Sequence, residues 1–304
     1  VLTAVLITIA AMAILVISLW IWGERGRYLA STTAFFSEAG INLKSLHGYV
    51  YGRWTRAYVH MLFGSMPGKP NEKPAAAARK LAETYHAKVL THDNARQVVL
   101  LNKDIPLTDL EQVVPYPVAR NIVLKGPPDI VAFECPCRHA RPSHCTPTQV
   151  CMIVGKPMTD FVLEHQPGRA RRLTQEQALD LLEAEHARGH LHSAWFKDAM
   201  MDRFYAICNC CKCCCGGIAG MKRGFAMMTS SGYVASIERA LCAGCGDCVE
   251  ACPFEALHRN GNGVELDWGK CMGCGVCEAV CKTGGITLAR DERKGVPMDV
   301  RSLV

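Results

Sequence analysis

Two cysteine runs constrain this chain more than anything else in it. They are Cys242, Cys245, Cys248 and Cys252, followed by Pro253, and then Cys271, Cys274, Cys277 and Cys281. In each run three cysteines are separated by pairs of residues and the fourth stands beyond a three-residue gap. That spacing suits a loop wrapping three corners of one cubane while the next element carries the fourth thiolate to another. The ligand sets therefore cross. Cys242, Cys245, Cys248 and Cys281 are expected to hold one [4Fe-4S] cluster, and Cys271, Cys274, Cys277 and Cys252 the other. Glycines between the ligands, Gly246 and Gly275 among them, allow the tight turns this requires. The alternative, zinc bound by C-x₂-C pairs, usually has a longer loop between the pairs. Lys282 stands where a proline follows the fourth cysteine of the first run, a departure that bears on the local turn and not on the ligands.

Together the runs read as a two-cluster ferredoxin-like unit, the only clear internal repeat in the chain, so electron transfer is the leading expectation. The 304 residues contain 18 cysteines. Neighbours such as Cys210 and Cys211, or Cys213, Cys214 and Cys215, suit metal thiolates in a reducing compartment better than a disulfide framework. The formal charge is +6 with every cysteine neutral. Two oxidised four-thiolate clusters would bring it to about +2 and four to about −2. The basic balance therefore gives no reason to expect nucleic acid, and nothing else in the sequence reads as a surface for it.

Residues 1–22, VLTAVLITIAAMAILVISLWIW, are uncharged and long enough to span a bilayer, with Trp20 and Trp22 at the interfacial level. A membrane anchor is expected rather than a cleaved signal, because Gly23–Arg27 is charged where a cleavage site needs small residues. Arg25 and Arg27 place the following domain on the cytoplasmic side of the inner membrane by the positive-inside rule. Residues 23–74 form a juxtamembrane segment and linker. Tyr49, Tyr51, Trp54, Tyr58 and Phe63 alternate there with Lys44, Arg53 and Arg56, and Pro67–Pro74 reads as the linker. The aromatic stretch either lies on lipid or a membrane partner, or packs on its own domain.

Residues 75–230 read as a mixed α/β cysteine-rich domain. Helices are expected over Ala75–His86 and Tyr116–Leu124, and strands over Gln97–Leu101 and Ile130–Phe133. Thr174 and Gln177 form a capping-box signature for a helix that Gly189 stops. Residues 231–290 form the dicluster unit and 291–304 a C-terminal tail. The fold class expected is α+β, with a single N-terminal transmembrane helix.

Ten further cysteines lie upstream: Cys135, Cys137, Cys145 and Cys151, then Cys208, Cys210, Cys211, Cys213, Cys214 and Cys215. Adjacent cysteines point their sulfurs in different directions, so the second group can hardly chelate one ion with all its thiols. Ten thiols exceed by two what a pair of cubanes needs, which suggests four clusters in total. An unusual cluster, zinc or inert buried thiols are the alternatives. His139, His144, His190 and His192 lie near these cysteines as ligands or, more commonly, as outer partners. Arg138, Arg141 and Lys212 either donate to cluster sulfurs or are solvated.

The combination CPCRHARPSHCTPTQVC, RGHLHSAWFKDAMMDRFYAICNCCKCCCGG, SSGYVASIERALCAGCGDCVEAC and CMGCGVCEAVC resembles a widespread bacterial family of multi-cysteine 4Fe-4S binding proteins. In that family a CPCR/CNCC-type module precedes a dicluster ferredoxin. The resemblance covers roughly residues 115–295 and implies iron–sulfur binding and electron transfer without a defined substrate reaction. No dinucleotide fingerprint, phosphate loop or Ser/His/Asp arrangement points to an organic cofactor. The expected role is an electron-transfer subunit of an oxidoreductase, linking a soluble donor or acceptor to a membrane redox complex. The alternative is a reductase in its own right, with a substrate-accessible cluster in the Cys135–Cys215 module.

Overall fold

The computed structural model describes residues 2–24, 29–64, 76–261 and 263–303. Arg25 and Arg27, on which the orientation rests, and the linker Pro67–Pro74 lie outside the described residues. The chain opens with helix α1 (Leu2–Gly23), followed by α2 (Ala30–Ala39), α3 (Leu43–Arg53) and α4 (Thr55–Gly64). Next come α5 (Ala76–Thr84), β1 (Tyr85–Leu90), α6 (His92–Val99), β2 (Ile105–Leu107), β3 (Ile122–Leu124) and β4 (Ile130–Glu134). These lead into α7 (Pro136–His139), β5 (Gln149–Val154), α8 (Met158–His165), β6 (Ala170–Leu173) and α9 (Gln175–Ala187). The cysteine-rich part closes with β7 (Leu191–Lys197), β8 (Arg203–Cys210), α10 (Gly216–Lys222) and β9 (Met228–Thr229).

Seven of these strands form one sheet in the order β6-β4-β5-β8-β7-β1-β9, antiparallel except where β9 joins β1. Both faces are buried. Val131, Phe133 and Ile153 point into one core, whereas Ile130, Ala132, Met152 and Val154 point into the other, as the two-residue strand period requires. α2, α3, α4 and α8 cover the first face, and α6 and α9 the second. The aromatic stretch after α1 therefore packs on its own domain: Phe35, Phe36, Tyr49, Tyr51 and Phe63 are buried in the first core. α1 behaves differently, because its side chains from Thr3 to Leu19 are all exposed. It is long and apolar enough to cross a membrane. At its end the buried Glu24 carboxylate accepts hydrogen bonds from the Thr32 and Tyr49 hydroxyls, each at 2.8 Å, and from the Leu29 amide at 2.7 Å.

Three sequence expectations are corrected. Gln97–Leu101 is not a strand. Thr91 Oγ1 accepts the Asn94 amide at 3.1 Å and starts α6, which buries Ala95, Val98 and Val99 on one face. Tyr116–Leu124 is not a helix. Pro117 disfavours helical backbone before it, and Ile122–Leu124 pairs instead with Ile105–Leu107. The helix expected to reach His86 ends at Thr84, since Tyr85 onward pairs with β7 along its whole length. The strand at Ile130 is present and continues to Glu134. The capping box is present too, with the Gln177 amide donating to Thr174 Oγ1 at 3.2 Å.

The last part is built twice on one plan, as the repeat requires. β10 (Tyr233–Ile237) precedes the first cysteine run, α11 (Asp247–Ala251) and β11 (Leu257–Asn260). β12 (Gly263–Leu266) precedes the second run, α12 (Val276–Ala279) and β13 (Ile286–Arg290). β10 pairs with β13 and β11 with β12. Gly246 and Gly275 begin the two helices with φ of 82° and 80°, a left-handed conformation that a side chain resists. The C-terminal residues are not a free tail, because Met298 and Val300 are buried in the second core of the large sheet.

Candidate functional site

In the dicluster part the two loops fold back on each other, so that the fourth cysteine of each run stands with the other run. Cys242, Cys245, Cys248 and Cys281 line one hollow. Cys252, Cys271, Cys274 and Cys277 line another. The second is walled only by cysteines, glycines and apolar side chains such as Phe254, Leu257 and Leu288. Burial pushes the Cys277 thiol up to about 12 and raises Cys274 well above its ordinary value. Several thiolates can share such a hollow only around a positive centre, which is what an iron–sulfur core supplies, so the donor set fits the group. Backbone amides already aim at these sulfurs: Ala235 N–H at Cys271 (3.5 Å) and Ala256 N–H at Cys252 (3.3 Å). Lys282 points out to solvent, with Nζ 3.1 Å from Asp247 Oδ2 at the start of α11.

The ten upstream cysteines fall into two groups. Cys135, Cys137, Cys151, Cys208, Cys210 and Cys215 line one largely apolar hollow against the first core, and Cys211 also reaches its wall although its sulfur lies with the second group. Their thiols contact one another in series, from Cys137 through Cys135, Cys151, Cys208 and Cys210 to Cys215. The sheet makes this possible. Met152 pairs with Ile207, which brings their neighbours Cys151 and Cys208 together, and the two-residue period puts Cys210 on the same face as Cys208. Cys135 caps α7 and Cys215 caps α10, so two helix starts close the ring. Hydrogen bonds from Cys137 and Cys151 hold the Cys135 thiol well below its usual value, and Cys208 and Cys215 do the same for Cys210. The remaining four, Cys145, Cys211, Cys213 and Cys214, have all their sulfurs within 4.8 Å of one another. Cys145 and Cys213 approach to 2.9 Å, and Cys213 is exposed. The Cys208–Cys215 run is thus divided between two sites, and each site also takes cysteines from the Cys135–Cys151 segment.

The partners of several residues around the six-thiol hollow could not be found from sequence. Arg138 is fully buried, donating to the Pro147 carbonyl and to Glu185 Oε2 at 2.9 Å. Burial opposes ionisation of Glu185, yet His190 and Arg138 together hold its carboxyl below the usual range. Tyr51, Tyr85 and Tyr205 form a hydroxyl cluster, with Tyr51 and Tyr205 2.7 Å apart. Lys197 lies over the rings of Tyr51, Tyr58 and Tyr85, and burial pushes its pKa down to about 8. His139 pairs with Glu134 at 2.7 Å, His190 with Glu185 at 2.7 Å, and His192 with Asn209 at 2.6 Å. His144 lies near the Arg141 carbonyl. Lys212 is exposed and donates to the Glu250 carbonyl at 2.7 Å, joining the cysteine run to α11.

Residues 235–282 match the family described as 4Fe-4S dicluster domain, a stretch that includes every cysteine of the two C-terminal runs. The chain is a mixed α/β iron–sulfur protein with a 4Fe-4S dicluster domain near its C-terminal end, and that domain supports electron transfer. No curated protein matches the chain.

Proposed function

We propose that this protein is a membrane-anchored electron relay with four [4Fe-4S] sites, carrying electrons between a soluble donor or acceptor and a membrane-bound oxidoreductase. One observation carries this reading. A single apolar core packs against Trp20 of α1 and contains Cys210 and Cys215 of the six-thiol hollow and Cys274 of the dicluster domain. A bound [4Fe-4S] centre supplies reversible one-electron transfer at a potential tuned by charge, hydrogen bonds and exposure. The protein's part is to hold the thiolates, exclude water and keep the sites in one rigid body. In the dicluster domain Cys242, Cys245, Cys248 and Cys281 would hold one centre, and Cys252, Cys271, Cys274 and Cys277 the second. Cys145, Cys211, Cys213 and Cys214 would hold a third. The fourth would draw on Cys135, Cys137, Cys151, Cys208, Cys210 and Cys215, with two thiols to spare. The likeness to the multi-cysteine family supports the same reading. α1 would anchor the protein in the cytoplasmic membrane among its lipids, with the clusters on the cytoplasmic side.

Anaerobic iron analysis with a reductive titration followed by EPR tests the relay. The full chain should hold about 16 irons and give four reducible, mutually broadened signals. A total near 8, with only the two dicluster signals, would reduce it to an anchored two-cluster carrier. The exposed Cys213 favours one other reading, a reductase whose Cys145 site meets substrate directly. A change in that site's signal on adding a disulfide or another two-electron acceptor would distinguish it.

A further inference from the structure

Beside α6 and α9, on the second face of the sheet, three histidines converge on one point. His92 begins α6, His186 lies in the last turn of α9, and His192 stands on β7. One ring nitrogen from each lies within 4.8 Å of the others. His92 Nδ1 and His192 Nε2 are 3.1 Å apart, and the rings of His92 and His186 stack at 4.2 Å.

The surrounding groups fix the far nitrogens of two of the rings. Asn209 Nδ2 faces the Val150 carbonyl at 2.7 Å, and because a carbonyl can only accept, the amide orientation is set. Asn209 Oδ1 then faces His192 Nδ1 at 2.6 Å and must receive its hydrogen, which leaves His192 Nε2 as a lone pair. Glu183 Oε2 lies 3.1 Å from His92 Nε2 and likewise accepts from it, which turns His92 Nδ1 toward His192 Nε2. The His192 Nε2 lone pair and His92 Nδ1 thus face each other across 3.1 Å with a third imidazole beside them, a gap that a shared proton or a metal ion would fill. Such an arrangement calls for a positive centre. Outer partners that pin the far nitrogen of a ligating histidine, a carboxylate on one and an amide oxygen on another, are the usual support of a metal site.

We infer that His92, His186 and His192 form a binding site for a divalent transition metal of borderline softness, zinc above all. Three imidazoles would hold the ion, and the fourth position would go to water or a small anion. Glu183 and Asn209 orient the rings rather than ligate. A metal there would tie α6, α9 and β7 together on the second face of the sheet, opposite the six-thiol hollow, and Asn209 lies between Cys208 and Cys210 on the strand that serves both faces.

The test uses the full chain purified anaerobically with its iron in place, stripped of loose metal, given one equivalent of Zn²⁺ and desalted. About one zinc should be retained, and X-ray absorption at the zinc edge should show only nitrogen and oxygen neighbours at about 2.0–2.1 Å, with the imidazole outer-shell pattern. His92→Gln and His186→Gln alter partly exposed side chains. Each should weaken zinc binding by more than the roughly 10–100-fold that losing an outer partner costs, with iron and sulfide unchanged. Sulfur neighbours at the zinc edge, or equal retention by the double variant, would place the ion among the cysteines and overturn the inference. No retained zinc would mean that a shared proton, and no metal, fills the gap.

Discussion

Cys252 and Cys281 each sit in one loop and face the other loop's hollow. Cys252→Ser should therefore disturb the signal of the Cys271, Cys274 and Cys277 site and leave that of the Cys242, Cys245 and Cys248 site nearly intact. Assigned EPR spectra of the variant decide it, and the opposite pattern would refute crossed ligation. Lys88 offers a second test at this scale. It is 1 % exposed on β1, and burial, with Arg290 adding repulsion, pushes its pKa down to about 7. An unfolded lysine keeps a pKa of about 10.4 and so binds a proton that the folded state refuses between that value and about 7. Stability therefore rises with pH across this window, and the full penalty is present below it. Lys88→Met should stabilise the fold by a few kcal/mol, on the order of the pKa shift, at pH 7 and by progressively less toward pH 10, measured by denaturant unfolding under anaerobic conditions. The sequence could name all 18 cysteines, because residue type alone marks a thiol. It could not divide the upstream ten into six and four, because that division depends on which strands become neighbours. Nor could it pair Arg138 with Glu185, 47 positions away.

Local signals were legible wherever the chemistry is local. The Thr174 cap needs only Gln177, and the dicluster loops carry their ligands and turns within a few residues. Short apolar runs misled, because Val98–Leu101 and Ile122–Leu124 suit either helix or strand until a partner is in place. Close approaches between elements were hidden as well. A side chain on Gly216, at the start of α10, would put its Cβ 2.7 Å from the Phe63 ring of α4. Phe63 lines the six-thiol hollow next to Cys215. Gly216→Ala should therefore force Phe63 or α10 to move at a cost of about 1–3 kcal/mol. The expected result is a loss of about 4 irons, one cubane, with the dicluster signals retained. Full iron loading in this variant would show that the hollow tolerates the shift.

At the scale of the whole molecule, α1 is the one part of the described structure that hides almost nothing of its apolar surface. If it is an anchor, the protein should stay with membranes through alkaline carbonate and high-salt washes, and removal of residues 1–22 should release it. Release of the intact chain by salt alone would rule the anchor out. The rest of the molecule is tied into one piece, with Met298 and Val300 reaching back past the dicluster domain into the second core of the large sheet, and Arg301 lying 2.8 Å from Asp93. That return gives biosynthesis an order. The chain emerges from the ribosome from its N-terminal end, and the sheet cannot seal its second face until the segment beyond Cys281 has been made. All 18 cysteines precede that segment in the sequence. In the order of synthesis the thiols therefore come first, and the segment that seals the second face of the sheet comes last among the described core residues.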